Sequence, residues 1–186
     1  MWEDRMAEVF LRRLTRWQAE AQREAVADLY VEAYRGPSGE EFRERGAFLQ
    51  RFAEHIQRPG FEMVIASDPA LVGCAYGFPA ERDGRLWQGF NGQVPRELEE
   101  LTASGRVFVV AELMVLPTHR RGHVATRLQE TLLLRSSAAM VVTLVDTANG
   151  AARSAVRAWG WQPTGRLLRS DDGEPEREAW SRALAH

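Results

Sequence analysis

Residues 107–133 constrain the fold more than any other stretch of the chain. VFVVAELMVL (Val107–Leu116) is dominated by β-branched and aliphatic residues and is ended by Pro117, the pattern of a buried strand. After the turn PTHRRGH, apolar Val124, Leu128 and Leu132 recur at i, i+4 and i+8, so the chain resumes as an amphipathic helix. A strand, a tight turn and a helix in that order restrict the region to an α/β arrangement.

The turn places His119, Arg120, Arg121 and His123 just ahead of that helix. The first turn of a helix carries unsatisfied N–H groups and a partial positive charge, so each nearby cation costs about 0.3–1 kcal/mol. An anion would reverse the sign. A phosphate-bearing ligand suits the site, because helix amides and guanidinium forks converge on one anion and Gly122 admits close backbone approach. The alternative is that the arginines form an ordinary solvated face.

Composition narrows the chemistry. With 186 residues, 45% of them hydrophobic, and a net charge of -2, the chain suits a single globular domain over 1–186. All 24 of its basic residues other than histidine are arginine. Without lysine there is no P-loop GK[ST], no Schiff-base nucleophile and no pyridoxal anchor. G-x-G-x-x-G is absent from the turn, and the slightly acidic, intermixed charge argues against a nucleic-acid partner. The lone Cys74 excludes an internal disulfide and a CxxC metal site. His119 and His123 have H-x-x-x-H spacing but span a turn and lack a third ligand, so no metal is expected. The charged first thirty residues and the lack of a long apolar run predict neither secretion nor membrane insertion, hence a cytoplasmic location.

Elsewhere, Val9–Leu14 reads as a short strand and Gln18–Tyr34 as one helix with Ala21, Ala25, Val26, Leu29 and Ala33 on its apolar face. RGPSG breaks the chain before a second helix at Glu40–Gln57, with Phe42, Leu49, Phe52 and Ile56 on one side. Phe61–Ala66 and Leu71–Phe78 form a hairpin around Ser67-Asp68-Pro69. The segment Asp83–Arg106 is polar and glycine-containing but carries Trp87 and Phe90, with a helical turn at Pro95–Leu101; it is either a satellite cluster or a substrate-contacting lid. A strand at Ala138–Val145, a helix at Ala151–Ala158 and two strands at Thr164–Arg169 and Ala179–Leu184 around Asp171-Asp172-Gly173 complete the pattern. The sum is α/β, with a mixed sheet of about seven strands and helices on both faces. Exposed sheet edges allow a homodimer.

Between Glu112 and Trp161 the chain resembles the GNAT superfamily, the acyl-CoA-dependent N-acyltransferases. The family's V-x-P followed by R/Q-x-x-G-x-G/A is similar to Val115, Pro117, Arg120 and Ala125, with His123 in place of the first glycine. Its N-x-x-A-x-x-x-Y-x-x-x-G-F/W is similar to Asn149, Ala152, Gly160 and Trp161, with Val156 in place of the tyrosine. The resemblance implies two splayed parallel central strands with acetyl-CoA as co-substrate between them. It also implies pantetheine bonded to the backbone of Leu113, Met114 and Val115, and pyrophosphate cradled by Arg120 and the amides of Arg121, Gly122, His123, Val124, Ala125 and Thr126, with Asn149 along the pantetheine arm.

Acyl transfer to an amine needs a group to take the amine's proton. Glu112, the one carboxylate in the Val107–Leu116 strand, is the candidate base, burial raising its proton affinity; a structural carboxylate paired with backbone or arginine is the alternative. With Val156 unable to reprotonate a thiolate, Tyr76 in a neighbouring strand is the candidate acid, a packed aromatic being its alternative. Three functions stay open: N-acetyl transfer to a small-molecule amine, non-catalytic acyl-CoA binding, and acetyl transfer to proteins.

Overall fold

The computed structural model describes residues 8–34, 41–120, 123–168 and 175–185, with the side chains of 41–44 left aside. They gather into two compact units, one from the described residues within 1–78 and 112–135, the other from those within 79–111 and 136–186. Both expected turns, RGPSG and Asp171-Asp172-Gly173, lie outside the described residues.

In the first unit, strand β1 (Phe10–Leu14) pairs antiparallel with β2 (Glu62–Asp68), which forms a hairpin with β3 (Ala70–Pro79). Pro69 sits at the tip, between the Asp68↔Ala70 pair, as the turn chemistry predicts. Strand β4 (Val107–Val115) follows antiparallel to β3, with Leu116 N–H donating to the Val72 carbonyl at 2.8 Å and Ala80 N–H to that of Val107 at 2.8 Å. The expected single helix after β1 is two, α1 (Arg16–Ala21) and α2 (Arg23–Ala33), separated at Gln22. There the Gln22 amide bonds back to both Gln18 and Ala19 carbonyls, a tightened turn that no proline or glycine announces. The start also lies earlier than periodicity suggests, because Thr15 and Gln18 form a reciprocal capping box.

Helix α3 (Glu41–Ile56) buries Phe48, Phe52 and Ile56 completely. Phe48 belongs to this stripe rather than the expected Leu49, which is only half-buried. The stripe meets β3 on the face that carries Cys74 and Tyr76; the Phe52 and Tyr76 rings lie 5.2 Å apart. On the opposite face, helix α5 (Val124–Leu133) buries Val124, Leu128 and Leu132, the predicted i, i+4, i+8 set. A Cβ on Gly73 would stand 3.1 Å from Leu128 Cδ1 and 3.1 Å from the Met114 carbonyl, so β3 approaches this far because residue 73 has no side chain.

In the second unit, β4 pairs in parallel with β5 (Met140–Asp146) from Val107↔Met140 to Val110↔Thr143, where Thr143 Oγ1 donates to the Val110 carbonyl. β5 pairs antiparallel with β7 (Arg177–Ala183), and β7 with β6 (Gln162–Leu167). Helix α6 (Gly150–Ala158) joins β5 to β6. Through β4, the strand order is β1-β2-β3-β4-β5-β7-β6, a seven-stranded mixed sheet.

Segment 83–106 is tied down on this unit. It contains a 3-10 turn at Arg85–Trp87 and helix α4 (Arg96–Ala103). Trp87 Nε1 donates to Thr102 Oγ1 at 3.0 Å in a buried pair, and Trp87 meets Phe90 edge-on. Asn91 N–H donates to the Arg166 carbonyl and Leu168 N–H to that of Gly89, each at 2.8 Å, so Gly89–Asn91 covers the outer edge of β6. These contacts favour the satellite cluster over the lid.

Candidate active site

Glu112 stands in β4 between Ala111 and Leu113, its side chain 14% exposed. A carboxylate at that depth needs a partner. Helix α3 supplies one, because Arg51 and His55 each precede a residue of the Phe48–Phe52–Ile56 stripe or lie one turn along from it and so border the buried face. Arg51 Nη2 donates to Glu112 Oε1 at 3.1 Å. The same guanidinium lies over the rings of Tyr30 (5.6 Å) and Phe48 (5.4 Å), which stack on each other at 4.5 Å. His55 Nδ1 shares a hydrogen bond of 2.9 Å with the Tyr76 hydroxyl.

The cluster is electrostatically tuned. Burial raises the pKa of Glu112, and the Arg51 charge and hydrogen bond, with the Tyr34 hydroxyl, oppose that rise. Burial, then the nearby Arg51 and Arg58 cations, lowers His55 to about 4, so the imidazole is neutral at pH 7. Burial and the Glu112 charge hold the Tyr34 and Tyr76 phenols up. Cys74 is buried, and burial with the Glu112 charge holds its thiol up too. A carboxylate whose proton affinity burial raises, set beside neutral donors and one paired guanidinium, is chemically suited to accept a proton.

Tyr76 is fully buried, ringed by Phe52, Phe61 and His55. Its surroundings are those of a packed aromatic, and its raised pKa makes it a weak acid.

The cationic turn is only partly available to a ligand. His119 Nε2 pairs with Asp68 Oδ2 at 2.9 Å and Nδ1 with Thr118 Oγ1 at 2.8 Å. Arg120 donates to the carbonyls of Val115 (3.2 Å) and Ala33 (2.6 Å), bracing β4 and α2. Arg121 and Gly122 lie outside the described residues. His123 is exposed and left-handed, with φ 59° and ψ 21°, and makes no side-chain cap. The first bond of α5 runs from Arg127 N–H to the His123 carbonyl, so the amides of Val124 and Ala125 precede the helical ladder. Leu113 is half-buried, while Met114 and Val115 are buried.

No family profile matches the chain, and no curated protein matches it by sequence. Solved structures do. A candidate acetyltransferase of the GNAT family from Desulfovibrio desulfuricans superposes with a TM-score of 0.66 at 11% identity, covering 96% of this chain and 100% of its own. The ribosomal-protein-S18-alanine N-acetyltransferase from Escherichia coli gives 0.64 at 12%, with 96% of each chain covered. The PaiA N-acetyltransferase from Thermoplasma acidophilum, in complex with coenzyme A, gives 0.59 at 13%, covering 95% of this chain and 99% of its own. The chain has the GNAT fold.

Within the GNAT fold the two departures from the motifs acquire physical content. His123 occupies the first-glycine position and adopts the left-handed backbone that favours glycine there. Val156, where the resembled motif has a tyrosine, is 5% exposed in α6 and carries no hydroxyl. In the second unit Asn149 caps α6, its Oδ1 accepting from Ala152 N–H at 3.1 Å. Sequence reasoning missed Arg51, His55 and Tyr34. The first two could have been found as polar residues i, i+4 beside an aromatic stripe, had the stripe been placed on Phe48. Tyr34, at the end of α2, carried no such signal.

Proposed function

We propose that this chain is an acetyl-CoA-dependent N-acetyltransferase, a single catalytic domain that acetylates the amine of a small molecule by direct attack in a ternary complex. The observation that carries this reading is the Glu112 carboxylate, held on β4 by Arg51 with its proton affinity raised by burial. The GNAT fold supports it.

Acetyl-CoA would supply the activated thioester. The residues available to hold it fit in part. Val124 and Ala125 offer amides ahead of the α5 ladder, joined in the proposal by Arg121, Gly122, His123 and Thr126. Leu113, Met114 and Val115 lie past the last β4–β5 pair, where β4 can accept a pantetheine arm as an added strand. Arg120 contributes as a brace through its carbonyl contacts rather than as a free fork. Asn149 has its carboxamide oxygen engaged in the α6 cap, so toward pantetheine it would offer its amide hydrogens. Glu112 takes the proton of the attacking amine. Val156 is apolar and Tyr76 enclosed, so the thiolate would leave as a stable anion without a proton from either.

Thermal unfolding with acetyl-CoA tests the reading. At about 100 times Kd a ligand stabilises by about 2.7 kcal/mol, which raises Tm by roughly 5–10 °C for a chain of this size. An amine screen should then find an acceptor, with Glu112→Gln lowering kcat by about 10²-fold or more. No shift at millimolar acetyl-CoA removes the reading. Buried Val156 favours one second reading, a non-catalytic acyl-CoA-binding module; a Tm shift without turnover across small amines and peptide N-termini would select it.

A further inference from the structure

We infer that Arg51 is a positioning residue for Glu112, fixing the carboxylate on β4 and biasing it toward its ionised, proton-accepting form. The inference rests on the acyltransferase reading only for its effect on turnover; the pairing itself belongs to the unliganded protein.

Geometry carries the argument. The Arg51 guanidinium is itself immobilised, lying over Tyr30 at 5.6 Å and Phe48 at 5.4 Å while Nη2 holds Glu112 Oε1 at 3.1 Å. Arg51 is 40% exposed and Glu112 14%, so the cation stands on the solvent side of the carboxylate. Guanidinium stacked on rings keeps its charge under all ordinary conditions and loses little entropy in each bond it makes.

The surrounding groups leave this role to Arg51. From α2 come Tyr30, whose ring lies beneath the guanidinium, and Tyr34, whose phenol burial holds in its neutral form. From α3 comes His55, neutral at pH 7 and turned to Tyr76. From β3 come Cys74 and Tyr76, both held in their neutral forms. Arg120, from the turn, gives its guanidinium to the Val115 and Ala33 carbonyls. Among the described residues, Arg51 is the cation bonded to Glu112. An unpaired carboxyl at this depth would retain its proton over a wider pH range and serve poorly as a base.

The test is a ¹³C NMR titration of side-chain carboxyls in the full chain, with the Glu112 resonance assigned by its loss in Glu112→Gln. Arg51→Met keeps an apolar stem against Tyr30 and Phe48 while removing the charge. Its Glu112 midpoint should rise by at least about one pH unit, and Arg51→Lys should return it most of the way. If Arg51→Met does not fold, Arg51→Gln takes its place, with the same direction expected. An unchanged midpoint in the folded uncharged variant overturns the inference. In turnover, the acid limb of kcat/KM should move up in pH with the carboxyl, whereas a merely structural loss would lower kcat without moving the limb. A moved carboxyl in a protein that never transfers acetyl would preserve the Arg51 clamp and reject the acyltransferase reading.

Discussion

His123 illustrates how one side chain can fit the path of its chain yet strain its backbone. Its φ of 59° is left-handed, a region that costs a non-glycine residue about 1–2 kcal/mol. Glycine would relieve that cost while adding unfolded-state entropy, so His123→Gly should be more stable by about 0.5–1 kcal/mol. Urea midpoints at constant slope would measure it; a loss of stability would mean that the imidazole makes a compensating contact. Glu112 is the complementary case, a residue whose chemistry is set by neighbours distant in sequence. It is 61 residues from Arg51, and the opposing effects of burial and that guanidinium decide its proton affinity.

Among the elements, β6 and the Gly89–Asn91 segment depend on a single missing Cβ. A methyl group on Gly165 would collide with the Phe90 ring, and that ring has Trp87 edge-on against it. Gly165→Ala should therefore destabilise by about 1–3 kcal/mol through overpacking. Amide exchange at Asn91 and Leu168, whose N–H groups join this segment to β6, should accelerate. Adding Phe90→Ala should recover part of the loss; a strictly additive double mutant would show that the ring is not the obstacle. At the opposite edge of the sheet, β1 places the exposed Arg12 in its short strand, a charge that discourages pairing with another chain, while Arg13 pairs with Glu62.

At the scale of the whole molecule, stability reports on the titration of buried groups. His55 has a folded-state pKa of about 4, below its ordinary 6.5, so the unfolded chain binds the proton more readily. Its contribution is therefore complete above pH 6.5 and is lost as pH falls toward 4. Glu112 has the opposite sign, because its raised pKa makes the folded state hold the proton above 4.5, and its contribution weakens as pH rises from there. The difference between wild type and His55→Gln isolates the histidine: urea midpoints of the wild type should fall more steeply from pH 6.5 to 4. Parallel curves would mean that His55 binds its proton equally readily in the folded and unfolded chain. The element order and sheet class were legible in the sequence, because alternating β-branched strands, the Val124–Leu128–Leu132 stripe and turn residues such as Pro69 act locally. Glu112 was legible as well, since a lone carboxylate in an apolar strand requires a partner. What the sequence could not supply was the partner's identity. Arg51, Tyr34 and His55 are joined to Glu112 and Tyr76 only through the packing of α2 and α3 against β3 and β4. The engagement of Arg120 by carbonyls and the enclosure of Tyr76 were likewise decided by tertiary structure, because a side chain's free donors and exposure depend on what folds against it.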